Sequence, residues 1–365
     1  MIERVAIVGV GLIGGSLALA WKERRPDLTL IGWDRPDVLA AARERGIIDE
    51  TATDLKQTVA GADVLILAAP IGTNTALMAE VAASLASNTI VTDVGSVKVP
   101  ITHAACAHLR PDQVFIGGHP MAGAEQGGLA NADAFLFENA TYVLCPGRHE
   151  STPSFRALAD LVEATGARVL PMDAAHHDHV AACISHVPQL LSVALMGLAA
   201  KRSQTDPAVL QLAAGGFRDM TRIASSPYAL WEPVLRANKR DVTAILSELI
   251  TNLAAMRHML EHETTESLAP LFERARIVRE TIPRDSKGFV DPLADIYVYA
   301  EDRAGVLAHI AVTLHRDNIS IKDVELLKVR EGTGGAFRLS FIDDRTANAA
   351  VAVLEAVGCR AYRLN

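Results

Sequence analysis

Two side chains in glycine-rich surroundings are the first candidates for chemistry. His119 stands in GGHPMAGAEQGG (117–128), directly after an apolar QVFIG run, and Ser96 stands in DVGSVK (93–98). An imidazole takes up or releases a proton near neutral pH, and a hydroxyl beside it either bonds the same reacting group or orients the ring. The small residues around both would let a ligand come close to the backbone. AAPIG (68–72), which holds Ala69 and Pro70, has the same small-residue character. A lone histidine after a strand is also commonly a surface or capped residue. Position alone therefore leaves His119 as either base or bystander.

These stretches need a scaffold, and the amino-terminal segment supplies one. GVGLIGGS places Gly9, Gly11 and Gly14 in a G-x-G-x-x-G pattern, with Leu12 and Ile13 inside it, between an apolar strand (4–10) and a helix. An acidic residue, Asp34, follows 20 positions after Gly14 at the end of the second strand. That context reads as a dinucleotide site, with the pyrophosphate at the helix N-terminus and Asp34 accepting from the adenosine ribose hydroxyls. Asp34 favours NAD, since it would repel a 2′-phosphate. Arg35 beside it keeps NADP as the alternative, because an arginine there can pair with that phosphate. Further strands at 62–70, 88–96, 113–120 and 141–147 alternate with helices, so residues 1–172 are expected to form a doubly wound, mostly parallel α/β (Rossmann-type) domain. Such sheets bind ligands beyond the carboxyl ends of their strands, and AAPIG, DVGSVK and GGHPMAG all fall there.

The pattern changes after PMDAAHHDHV. Residues 173–283 hold long helical segments with more apolar surface than one small bundle buries, and a homodimer is expected to cover it. His176, His177 and His179 resemble a metal cluster at first sight. With no cysteine partner and Asp178 among them, they read as a solvated helix entry, and no metal is expected. Asp219 and Arg222 have the i,i+3 spacing of a surface ion pair. Residues 284–293 read as a linker. Residues 294–365 follow the order β-α-β-β-α-β, a ferredoxin-like unit.

Half of the 365 residues are hydrophobic and only 5% aromatic, which favours helices and parallel strands. A net charge of -8 without blocks of like charge argues against a nucleic-acid surface. Four scattered cysteines without a C-x-x-C pair are expected to be buried free thiols of a reducing compartment. The amino terminus reads as a first strand without a leader. The apolar run 184–200, interrupted by Ser185, His186, Pro188 and Gln189, reads as a buried helix and not a membrane span. A cytoplasmic protein is expected.

GVGLIGGS, DVGSVK, GGHPMAGAE, ISHVPQ and FRDMTRIASSPYALW, the last followed by Asn238, occur in this order in the TyrA family of prephenate and arogenate dehydrogenases, which residues 1–281 resemble. The resemblance implies NAD-dependent oxidation of the prephenate C4 hydroxyl carbon with loss of CO₂. It implies His119 as proton acceptor, Ser96 as its hydroxyl partner and Arg222 as the group that binds a substrate carboxylate, with Asp219 holding that arginine. His186 and Gln189 fall at the substrate side chain, and Gln189 replaces a histidine of the family pattern, which leaves prephenate and arogenate both open. Glu125 matches a residue that gates the site. A sensor that binds NAD and an amino acid without catalysis is the competing reading, but it would have no need of Ser96, His119 and Arg222 together. EDRAGVLAHIA (301–311) and DNISIKDVEL (317–326) resemble an ACT domain, which implies an amino-acid effector at the interface of paired modules, near Gly305 and Asn318, with tyrosine the leading choice.

Overall fold

The computed structural model describes residues 2–363 apart from 53, 124–125, 263, 283–292, 301–303 and 331–333. Glu125 and all but the last residue of the expected linker 284–293 therefore lie outside the described residues. The chain divides into two compact units, Met1–Leu268 and Ala269–Asn365.

The first unit opens with strands β1 (Arg4–Val8), β2 (Thr29–Trp33), β3 (Glu50–Thr51), β4 (Val64–Leu67), β5 (Ile90–Asp93) and β6 (Val114–Phe115). They form one parallel sheet in the order β3-β2-β1-β4-β5-β6. β1 and β4 are almost wholly apolar because both faces are covered by helices. Val5, Ile7, Leu30, Val64 and Ile66 pack in one core with Leu17 and Trp21 of the helix Leu12–Arg24. Ala6, Val8, Leu65, Leu67 and Val91 pack on the other face with Met78 and Ile101. The order reverses between β1 and β4, and a crevice at such a point is where this architecture takes a nucleotide.

The sequence reading joined residues 113–120 in one strand, but the chain breaks there. β6 ends at Phe115, and β7 (Gly117–Pro120) leaves the parallel sheet to pair antiparallel with β8 (Thr141–Cys145), which pairs parallel with β9 (Arg168–Pro171). Polar contacts at Gly118 hold the departure: its N–H donates to Asp93 Oδ1 at 3.1 Å and its carbonyl accepts from Lys98 Nζ at 2.6 Å. His119 thus sits on a second, three-stranded sheet, opposite Val143.

The rest of the unit is helical. Ala174–Ala181 runs through a π-helical turn, Ala182–His186, into Val187–Ser203, and this stretch packs with Tyr228–Ala237 and Lys239–His262 around Val187, Leu235, Val242 and Ile245. The stretch Ala174–Ser203 is long and apolar enough to cross a membrane by length and composition. It is not the buried helix expected from sequence: Ile184, Val193 and Leu198 are exposed. Its inward residues His177, Asp178, His186 and Gln189 are buried polar groups. All four cysteines are free, with Cys106 and Cys183 exposed, so the expectation of buried thiols fails for those two.

In the second unit the helix Ala269–Thr281 precedes four strands, β10 (Ala294–Ala300), β11 (Asp323–Arg330), β12 (Gly334–Phe341) and β13 (Ala361–Tyr362), in the order β11-β12-β10-β13. Every pairing is antiparallel, and the helices Val306–Arg316 and Asp344–Ala356 bury Ile310, Leu314, Ala350 and Leu354 against one face. This is the expected ferredoxin-like unit.

Candidate active site

The glycine loop shows a division of labour. Gly9 has φ +99, and a Cβ there would stand 2.7 Å from the Ala68 carbonyl. A Cβ on Gly14 would stand 2.1 Å from the Gly9 carbonyl oxygen, so this glycine lets the helix lie on the strand turn. At Gly11 nothing lies within 4 Å, which leaves the loop open towards a ligand. Gly11 is also the N-cap of Leu12–Arg24, and no side chain caps that helix. The first-turn N–H groups, Leu12 and Ile13 included, are therefore available to an anion, as a pyrophosphate requires. Asp34 accepts from the Val10 N–H at 2.8 Å and the Arg35 N–H at 2.7 Å, tying the second strand to the loop. The exposed Arg35 side chain pairs with Asp37 at 3.6 Å. Across the reversal point Pro70 caps Ile71–Ala82, and the Ala69 N–H donates to Asn74 Oδ1 at 3.1 Å. These residues fit a dinucleotide.

His119 lies at the carboxyl edge of the same unit. Its Nδ1 stands 2.8 Å from His177 Nε2, and His177 Nδ1 stands 2.8 Å from Asp178 Oδ1. Asp178 also accepts from the backbone N–H groups of Lys98 at 2.7 Å and Val99 at 2.8 Å, so it caps the helix Val99–His108 from a distant part of the chain. His177 and Asp178 are buried, which corrects the reading of HHDH as a solvated helix entry. The histidines diverge: the backbone of His176 bonds Asp173, and His179 faces Asp241 at 3.4 Å. Among the described residues no cluster has the make-up of a metal site.

Beneath His119 a buried ion pair joins Lys98 to Asp93, the two groups that grip Gly118. Burial holds His119 well below the ordinary imidazole range, and repulsion from Lys98, then from His177 and His186, adds to it. The ring is therefore neutral at physiological pH, as a proton acceptor must be. His186, in the π turn, is pushed down to about 4, chiefly by burial. Its Nδ1 lies 3.2 Å from Asn238 Nδ2, which also donates to the Asp178 carbonyl at 2.7 Å, and its ring meets Trp231 edge-on. His186 Nε2 and Gln189 Oε1 are buried without partners, while Gln189 Nε2 donates to the Ile223 carbonyl at 3.0 Å. Unpaired buried polar atoms one helical turn apart are sites for a ligand's polar group.

The structure does not bring every expected residue together. Ser96 lies half-buried in the turn after β5, with no hydrogen bond to His119; that bond is made by His177. Arg222 begins a short 3₁₀ turn directly after the helix Gly215–Thr221 that carries Asp219, so the two residues do not share one continuous α-helix. Gly305 and Asn318 stand at opposite ends of Val306–Arg316, roughly 16 Å apart by helix rise. Sequence reasoning missed Lys98, Asp93, His177 and Asp178. DVGSVK held the first pair in plain view, and HHDH held the second.

A nucleotide crevice with a neutral histidine and unpaired buried polar atoms near it defines a dinucleotide-dependent oxidoreductase acting on a small substrate. Residues 17–171 match the family described as prephenate dehydrogenase, nucleotide-binding domain, and residues 173–274 match prephenate dehydrogenase, dimerization domain. A prephenate dehydrogenase of Bacillus subtilis is 36% identical over 98% of this chain and 96% of its own length. The structure of a prephenate dehydrogenase from A. aeolicus in complex with hydroxyphenyl propionate and NAD+ superposes with a TM-score of 0.71 at 28% identity, covering 77% of this chain and 99% of that one. An arogenate dehydrogenase from Synechocystis gives a TM-score of 0.67 at 30% identity, covering 76% and 99%. The chain belongs to the prephenate dehydrogenase family.

Proposed function

We propose that this chain is a cytoplasmic, NAD-dependent prephenate dehydrogenase of tyrosine biosynthesis. The carrying observation is the neutral, half-buried His119, anchored through Nδ1 to His177 on the small sheet that departs from the parallel nucleotide sheet. Bound NAD⁺ supplies the hydride acceptor. The C4 hydroxyl proton of prephenate passes to His119 Nε2, the C4 hydride leaves, and the electrons of the ring–carboxylate bond enter the ring as CO₂ departs. Aromatisation makes the step downhill, so the protein has to supply orientation and a base. Arg222 binds a substrate carboxylate through its planar fork. Ser96 bonds the reacting hydroxyl, Asp219 holds Arg222 in place, and Glu125 gates entry. Asp34, with Arg35 turned to Asp37, supports NAD over NADP.

A second reading, arogenate oxidation, is favoured by one observation. Gln189 Oε1 is a buried, unpaired acceptor, suited to the ammonium of an amino-acid side chain. His186 Nε2, with Nδ1 accepting from Asn238, is a donor suited to a keto oxygen. An assay at 340 nm crossing prephenate and arogenate with NAD⁺ and NADP⁺ separates these readings. Turnover of prephenate with NAD⁺ at the highest kcat/KM is expected. Higher kcat/KM with arogenate assigns Gln189 to an ammonium, and no reduction of either cofactor overturns the proposal.

The helical region from 173 to 283 serves dimerisation in this proposal; its exposed Ile184, Leu198, Ile250 and Leu253 support a subunit face. The carboxy-terminal unit senses an amino acid, with tyrosine as effector. Since Gly305 and Asn318 lie at opposite helix ends, the effector sits between Gly305 of one module and Asn318 of a second.

A further inference from the structure

We infer that His177 and Asp178 form a positioning pair that fixes the tautomer of His119 and holds the charge it gains, the three side chains acting as one hydrogen-bonded line. This rests on the proposed role of His119 as proton acceptor. With His177 neutral, the donors and acceptors permit one consistent assignment. A carboxylate only accepts, so Asp178 Oδ1 takes the Nδ1–H of His177 at 2.8 Å. In neutral His177 that leaves Nε2 with a lone pair. It then accepts the Nδ1–H of His119 at 2.8 Å. His119 is left with a bare Nε2, which is the atom that must face the substrate hydroxyl. When the substrate O–H breaks and Nε2–H forms, the positive charge on His119 lies beside the His177 lone pair, and Asp178 stands behind it.

The pair is built in. His177 and Asp178 are buried. Asp178 is fixed by the Lys98 and Val99 N–H groups, and its carbonyl accepts from Asn238. Among the described residues, the charged and titratable groups facing His119 are Lys98 with its partner Asp93 from below, His177 with Asp178 from the helix Ala174–Ala181, and His186 from the π turn. Lys98 and the histidines favour a neutral ring. Among the described residues, Asp178 is the carboxylate that continues the hydrogen-bonded line from His119, so it acts on the protonated state. Ser96, for which the resemblance implied either bonding the reacting hydroxyl or orienting the histidine, makes no hydrogen bond to His119.

The test uses the full-length enzyme and two variants, Asp178→Asn and His177→Gln. An Asn amide rotated to donate to His177 Nδ1 would place the His177 proton on Nε2 and the His119 proton on its own Nε2, inverting the line. Nitrogen-15 spectra of histidine-labelled protein read this without turnover. The wild type is expected to show His119 protonated at Nδ1, and Asp178→Asn to show it protonated at Nε2. In steady state, Asp178→Asn is expected to lose on the order of 100-fold or more in kcat/KM for prephenate, with unchanged NAD⁺ affinity and an acidic limb displaced to lower pH. His177→Gln, whose carbonyl can still accept from Nδ1–H, is expected to keep more activity than Asp178→Asn. A wild-type His119 protonated at Nε2, or an Asp178→Asn enzyme whose rate falls with its acidic limb unmoved, overturns the inference. If Asp178→Asn fails to fold, the wild-type spectrum and the His177→Gln profile decide it. A wild-type enzyme inert towards prephenate but with the expected tautomer would instead count against the proposed function.

Discussion

His119 became a base in this account through its neighbours, and these were only half legible in the sequence. The motif DVGSVK drew attention to Ser96, but Lys98 in the same motif is the residue that reaches the carbonyl before His119. HHDH looked like a solvated entry because spacing says nothing of what a strand 58 residues earlier will place against it. Two predictions belong at this scale. Arg222→Gln should raise KM for prephenate about 10- to 100-fold, the loss of a charge-assisted bidentate bond, with KM for NAD⁺ little changed; steady-state kinetics with each substrate varied check it. The second concerns stability. His186 has a folded-state pKa of about 4 against an ordinary value of 6.5. Its contribution is therefore fully present above pH 6.5 and declines as pH falls towards 4, by up to about 3 kcal/mol. Urea midpoints between pH 7 and 4.5 should fall less steeply in His186→Asn than in the wild type. Parallel slopes would remove His186 from the account.

Elements were easier to foresee than their breaks. Apolar runs between glycines marked the parallel strands, and the glycine loop declared its helix, because both signals are local. The departure of β7 was not legible, since the Asp93 and Lys98 contacts that hold it come from another strand and turn. Nor was the π turn, which the helical pattern of this stretch does not mark. The loop glycines permit a paired prediction. Gly14→Ala sets a Cβ against the Gly9 carbonyl and should cost about 1–3 kcal/mol of stability while weakening NAD⁺ binding. Gly11→Ala has room and should melt like the wild type, yet bind NAD⁺ less tightly because the new methyl occupies the ligand's approach. Thermal melts and NAD⁺ titrations of both variants separate the roles. Equal destabilisation in both would contradict the division.

At the scale of the whole molecule, the described part of 173–283 exposes apolar side chains such as Ile184, Leu198 and Ile250, the kind of surface for which the sequence pattern led to an expected homodimer. The ferredoxin-like order of the last four strands was legible from its alternation of elements, while the separation of Gly305 from Asn318 followed only once a helix stood between them. Asn318, at φ 56, occupies the left-handed region that asparagine tolerates. Asn318→Gly should keep that backbone and basal turnover while weakening tyrosine inhibition at least tenfold. Unaltered inhibition would move the effector elsewhere.

The central claim is that His119 accepts the substrate's hydroxyl proton beside bound NAD⁺. The most direct measurement is NADH formation at 340 nm by His119→Asn against the wild type at saturating prephenate, with NAD⁺ affinity measured separately. A fall in kcat of about 10²–10⁴, with NAD⁺ affinity retained, is predicted. A kcat near that of the wild type would contradict the account.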